Sequence, residues 1–120
     1  MNKCSHIHIP DWCCDHRLDD VADLFKCLAD PTRLKLLTAM VTAERTVGEL
    51  ATAAGATPSA VSHQLRLLRA MRLVRVRREG RHMHYSLADQ HVSDLLEVAI
   101  THTGEPPEPH TAWHVTEIAE

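Results

Sequence analysis

The sequence predicts a mainly α-helical fold carrying one two-stranded β-hairpin, and three observations predict it. Apolar residues recur three and four apart through most of the chain, the helical spacing. Two short helical stretches meet at a turn containing Gly55, and each is preceded by a threonine suited to capping. The stretch LVRVRREGRHMHYSL then changes period, alternating apolar and polar residues on either side of Glu79-Gly80. At 120 residues the chain is long enough for one domain with a core, not for two. With 44% hydrophobic and 24% charged residues it reads as globular rather than disordered. Aromatic residues are too few to build the core, so Leu, Val, Ala and Ile must.

Residues 1–16 lack a helical period and are rich in Cys and His, so they read as a flexible arm. Leu18, Val21, Ala22, Leu24, Phe25 and Leu28 lie on one face of a predicted helix. Asp30-Pro31 ends it, because the residue before proline disfavours the helical region. Pro31 opens the next helix with Asp30 as its cap, and that helix is expected to run to about Ala43. Thr46 begins a short helix that stops at Gly55, where a left-handed residue suits a helix end. Thr57-Pro58 begins another, ending near Ala70. The hairpin follows, then a helix within DQHVSDLLEVAITHTGE that ends near Gly104. The proline-interrupted residues 106–120 read as a tail, which leaves 17–105 as the folded domain. No internal repeat is visible.

Several function classes recede on these observations. No apolar run approaches the length needed to cross a bilayer. No basic segment followed by an apolar stretch opens the chain, so a cytosolic location is expected. In a reducing cytosol Cys4, Cys13, Cys14 and Cys27 read as thiols or metal ligands before disulfides. A hydrolytic metalloenzyme is disfavoured, since the chain has no H-E-x-x-H, nucleophile elbow or phosphate loop.

A helix-turn-helix followed by a hairpin is the winged-helix arrangement. The net charge of −3 argues weakly against nucleic acid, but its placement does not. Arg66, Arg69, Arg72, Arg75, Arg77, Arg78 and Arg81 make a local basic face on an acidic body. With Ala60, Val61, Leu65 and Leu68 toward the core, Ser59, Ser62, His63, Gln64 and Arg66 are left for a DNA groove. Glutamine can pair with adenine edges, and arginine with guanine or phosphate. Arg77, Arg78 and Arg81 place positive charge against the backbone or minor groove. The plainer alternative is a solvated basic helix beside an ordinary hairpin; the joint order of caps, glycine turn and Arg-tipped hairpin favours DNA.

The runs LFKCLADPTRLKLL and VGELATAAGATPSAVSHQLRLLRAMRLVRVRREGRHMHYSL resemble the ArsR/SmtB family of metal-responsive bacterial repressors, over residues 18–105. The resemblance implies a homodimer, joined through its first and last helices, on palindromic double-stranded operator DNA. It also implies that metal binding weakens DNA binding.

The last predicted helix carries Asp89 and His91 at one end and His102 and Glu105 at the other. Eleven residues separate the two histidines, so they share one stripe about 16 Å apart along the axis. A zinc–ligand bond is about 2 Å, so one ion cannot touch both within a chain. Antiparallel pairing with a second copy would bring Asp89 and His91 to the other chain's His102 and Glu105, twice by symmetry. Leu95 and Val98, beside Val92, Leu96 and Ala99, would form the seam. Two imidazoles and two carboxylates suit a closed, regulatory Zn2+ site. D-x-H followed by H-x-x-E is similar to the C-terminal-helix site of the zinc-sensing branch. That similarity also implies a hydrogen bond from His102 to a backbone carbonyl near Arg72.

Cys4, His6, His8, Cys13, Cys14 and His16 could form a second, softer site suited to Cd2+ or Pb2+. Relatives with such a site carry cysteine where Thr46 and Gly48 stand here; Glu49 could assist the arm instead. The plain alternative is a solvated arm. His110 and His114 are the tail histidines that Ni2+ and Co2+ sensors of the family would recruit. Cys27 reads as a packed small hydrophobe, and His82 and His84 as surface or DNA-contacting residues. A competing reading is a metal buffer or chaperone built on the Cys/His arm.

Overall fold

The computed structural model describes residues 15–105. Its order is α1 (Asp15–Leu28), α2 (Pro31–Ala39), α3 (Val47–Ala54), α4 (Pro58–Ala70), β1 (Val74–Glu79), β2 (His82–Leu87) and α5 (Gln90–Gly104). The helix starts follow from side-chain caps. Asp30 accepts the Arg33 N–H at 2.9 Å with Pro31 next in line. Thr46 and Glu49 exchange hydrogen bonds in a capping box. Thr57 accepts the Ala60 N–H at 3.1 Å, and Asp89 accepts the Val92 N–H at 3.2 Å. Each satisfies a donor that the first turn leaves without a partner. Gly55 closes α3 at φ 66°, in the left-handed region.

The strands pair antiparallel from Val74↔Leu87 to Glu79↔His82. Gly80 and Arg81 form the two-residue tip, and Gly80 takes φ 64° where the type II′ turn requires glycine. Arg45 exchanges two backbone hydrogen bonds with Tyr85, at 2.9 and 2.8 Å. That bridge fastens the hairpin to the segment between α2 and α3.

The core is aliphatic. Leu36, Leu37, Leu50, Val61, Leu65 and Leu68 are fully buried, and Leu73, Val74, Leu87, Val92 and Leu96 close around them. Each such side chain contributes roughly 1.5–3 kcal/mol relative to exposure. Cys27 packs into the same core.

Three local expectations are corrected. The first helix begins at Asp15 rather than near Leu18, so His16 stands on a helix instead of a loose arm. The second ends at Ala39 rather than Ala43. There the Met40 N–H turns to the Leu37 carbonyl and the Val41 N–H to that of Thr38, Arg45 Nε donates to the Ala39 carbonyl at 2.8 Å, and Val41 and Thr42 are β-branched. Ala60, expected in the core, is exposed; the buried stripe of α4 runs through Val61, Leu65 and Leu68, a different angular position.

Candidate DNA interface and metal half-sites

Helix α4 buries one stripe and exposes the other, which puts Ser59, Ser62, His63 and Arg66 on a common solvent face. Gln64 differs: it is half-buried, and its Oε1 accepts from Arg33 Nε at 2.7 Å. The wing's Arg78 and Arg81 are exposed beside the tip. Arg77 is engaged elsewhere. Its Nη2 and Nε donate to Glu44 at 2.8 and 3.2 Å, and its Nη1 donates to Glu79 at 3.4 Å. This hydrogen bond from Arg77 holds the Glu44 carboxyl below its ordinary range and raises the guanidinium in turn. Arg77 thereby ties the wing to the segment before α3, with the neighbouring carboxylate partly cancelling its charge. His84 Nε2 stands 3.6 Å from Glu79 Oε1, and the His82 and His84 rings are 6.5 Å apart.

Helix α5 places its four candidate ligands in two groups. Asp89 caps the N-terminus through Oδ1, and His91 Nδ1 lies 3.6 Å from that same oxygen. The His91 side chain is 94% exposed, open to approach from outside the chain. At the far end His102 and Glu105 line a shallow groove of about 350 Å³ with Glu97, Val98 and Thr101. Glu105 is the extended residue just past Gly104, and its N–H returns to the His102 carbonyl. Among the described residues no three His, Cys, Asp or Glu side chains gather where one chain alone could hold a metal ion. Val92 and Leu96 are buried in the chain's own core, whereas Val98 and Ile100 are 67% and 56% exposed. The apolar face of α5 is therefore divided between inside and outside.

His16 is exposed on α1. Cys4, His6, His8, Cys13, Cys14, His110 and His114 lie outside the described residues.

Sequence reasoning passed over Arg33 and Glu44, and it read Arg72 only for its charge and its neighbourhood, not for its backbone. Arg33 and Glu44 act across long sequence separations, toward Gln64 and Arg77, which no local pattern reveals. Arg72 takes φ 61° just after α4. It stands where glycine ordinarily signals such a turn, so the turn carried no compositional mark.

Comparison with known proteins agrees with this geometry. Residues 30–76 match the family described as bacterial regulatory protein, arsR family. A transcriptional repressor SmtB homolog from Synechocystis is 49% identical over 85 residues, which are 71% of this chain and 64% of that protein. The chain thus spans just under two thirds of that relative's length. The HTH-type transcriptional regulator NmtR of Mycobacterium tuberculosis is 48% identical, covering 69% of each chain. Among solved structures, the homodimeric winged helix-turn-helix DNA-binding domain of a possible ArsR-family regulator from Mycobacterium bovis superposes with a TM-score of 0.69. It is 35% identical, over 81% of this chain and 90% of that one. Capped reading helix, arginine-tipped wing and sequence kinship together make this chain a member of the ArsR/SmtB family of winged-helix, DNA-binding transcriptional repressors, and not an enzyme.

Proposed function

We propose that the protein represses transcription as a homodimer on double-stranded operator DNA, and that it releases the operator when divalent metal, Zn2+ foremost, binds between paired α5 helices. The observation that carries this reading is the division of α5. Its candidate donors sit at opposite ends of one stripe, about 16 Å apart, with exposed Val98 and half-buried Leu95 offering apolar area between them on the side away from the core residues Val92 and Leu96. A second copy crossing antiparallel would cover that area and complete two identical donor sets. The homodimeric state of the Mycobacterium bovis neighbour supports the pairing.

The donor chemistry fits zinc. Asp89, His91, His102 and Glu105 offer two imidazoles and two carboxylates, which suits a four-coordinate ion with no open position. Asp89 caps α5 through Oδ1 and keeps Oδ2 for ligation. A bound ion would supply a fixed link between the two α5 helices. His102 would pass that constraint on through its second ring nitrogen, to a backbone carbonyl near Arg72 at the end of α4. Ser59, Ser62, His63, Arg66, Arg78 and Arg81 would contact the operator, with Gln64 and Arg77 beside them. Cd2+ and Pb2+ would draw on the thiolates of the arm, and Ni2+ and Co2+ on His110 and His114. No helix among the described residues is long and apolar enough to cross a membrane, which accords with a cytoplasmic repressor.

Titrating operator release with Zn2+, Cd2+, Pb2+, Ni2+ and Co2+ tests the proposal. Zn2+ should release the wild type, and His102→Gln should bind operator normally yet ignore the ion. Zinc release that survives His102→Gln would refute the α5 site.

A further inference from the structure

Arg33 joins three helices. Its backbone N–H belongs to the Asp30 cap of α2. Its Nε donates to Gln64 Oε1 in the middle of α4 at 2.7 Å. Its Nη1 donates to the Cys27 carbonyl at 3.3 Å. That carbonyl lies in the last turn of α1, where the helix itself provides no donor. Both Arg33 and Gln64 are half-buried, and a planar guanidinium holds its donors in a rigid fork.

The geometry bears on Gln64. The oxygen and nitrogen of its amide diverge by about 120°, so an oxygen turned to Arg33 cannot also face a base edge beside the nitrogen. The paired donor and acceptor that glutamine presents to adenine are thereby withdrawn.

We propose that Arg33 is a positioning residue, which through Gln64 and Cys27 locks the reading helix α4 to the C-terminal turn of α1, and that Gln64 serves this lock rather than base recognition. The proposal rests on the reading of α4 as the DNA helix and of α1 as part of the dimer, and it extends that reading. A displacement of α1 against its partner would then reach α4 through one side chain, separately from the route through His102.

The first test is a double-mutant cycle in metal-free protein, measuring operator affinity for Arg33→Met, Gln64→Met and the pair. Each single variant should weaken binding about tenfold, and the pair no more than about twofold beyond either single, because both break one lock. Independent losses that multiply, or no loss in either single variant, would overturn it. Selection from randomised operators should give Gln64→Met the wild-type base preference; an altered preference at one base pair would make Gln64 a reader and end the proposal. Gln64→Glu keeps an acceptor for the guanidinium and should retain the ratio of metal-free to zinc-bound affinity, while Arg33→Met should shrink that ratio about fivefold or more. An undiminished ratio in Arg33→Met would cut Arg33 out of the coupling. His102→Gln separates the two failures: it removes the ratio with the lock intact, and the metal-free cycle decides the lock even if zinc has no effect on the wild type. If Arg33→Met does not fold, Arg33→Lys, which loses the fork but keeps the charge, replaces it in the cycle.

Discussion

At the residue scale the strained position is Arg72. It takes φ 61°, while the Leu73 N–H reaches the Leu68 carbonyl and the Arg72 N–H the Arg69 carbonyl, both at 2.9 Å. This is the Schellman closure, which favours glycine at the left-handed place. A side chain there costs about 1–2 kcal/mol, and glycine's extra unfolded-state freedom returns part of that. Arg72→Gly should therefore raise the stability of metal-free protein by up to about 1 kcal/mol, read as a higher midpoint in urea unfolding. A lowered midpoint would show that the arginine side chain, which lines a groove with Asp20, Asp23 and Asp89, stabilises more than the backbone strain costs. In the core the sign is reversed: Leu65 is fully buried, and Leu65→Ala should destabilise by about 2–5 kcal/mol.

At the element scale the wing behaves as a tethered hairpin. The Arg45–Tyr85 bridge and the Glu44–Arg77 pair both bind it to the segment between α2 and α3. Arg77 is already partnered by Glu44, and Arg81 does not share that carboxylate. In salt titrations of operator affinity, Arg81→Ala should lower the slope of log K against log salt by about 0.9, as for the loss of one phosphate contact. Arg77→Ala should change it distinctly less. Equal slopes for the two variants would contradict the tether. The Glu44 carboxyl is held below its usual range in the folded state, first by its hydrogen bond from Arg77. A carboxyl lowered on folding stabilises above its unfolded value and loses that contribution as pH falls through the lowered one. The tether should accordingly persist through mildly acidic pH, with the Glu44 side-chain NMR shift titrating below an ordinary glutamate's. In Arg77→Ala that midpoint should move back up.

At the scale of the whole molecule the question is what one chain lacks. Val98→Asp places a charge on an apolar side chain that is 67% exposed. It should yield a monomer in analytical ultracentrifugation and lose operator binding and tight zinc binding together. A sharper experiment mixes two defective proteins. His91→Gln and His102→Gln homodimers each lack a complete donor set. Their mixed dimer pairs an intact His91 from one chain with an intact His102 from the other, so a one-to-one mixture should recover about one quarter of the wild-type tight sites. No recovery once the chains have exchanged partners would refute a site shared between two chains.

Most of the backbone was legible in the amino-acid order, because its determinants are local. Asp30, Thr46 and Thr57 announce helix starts, Gly55 and Gly80 announce the turns that need positive φ, and a shift from helical to alternating period marks the hairpin. The opposed pairs Asp89/His91 and His102/Glu105 were likewise visible, since helical rise alone separates them. What only tertiary structure decided are the polar side chains that act across the fold. Gln64 and Arg77 read alike with their neighbours as DNA contacts, yet Arg33 holds one across 31 positions and Glu44 holds the other across 33. Local sequence carries no record of such partners, because a hydrogen bond depends on where folding brings two atoms and not on how far apart they stand along the chain.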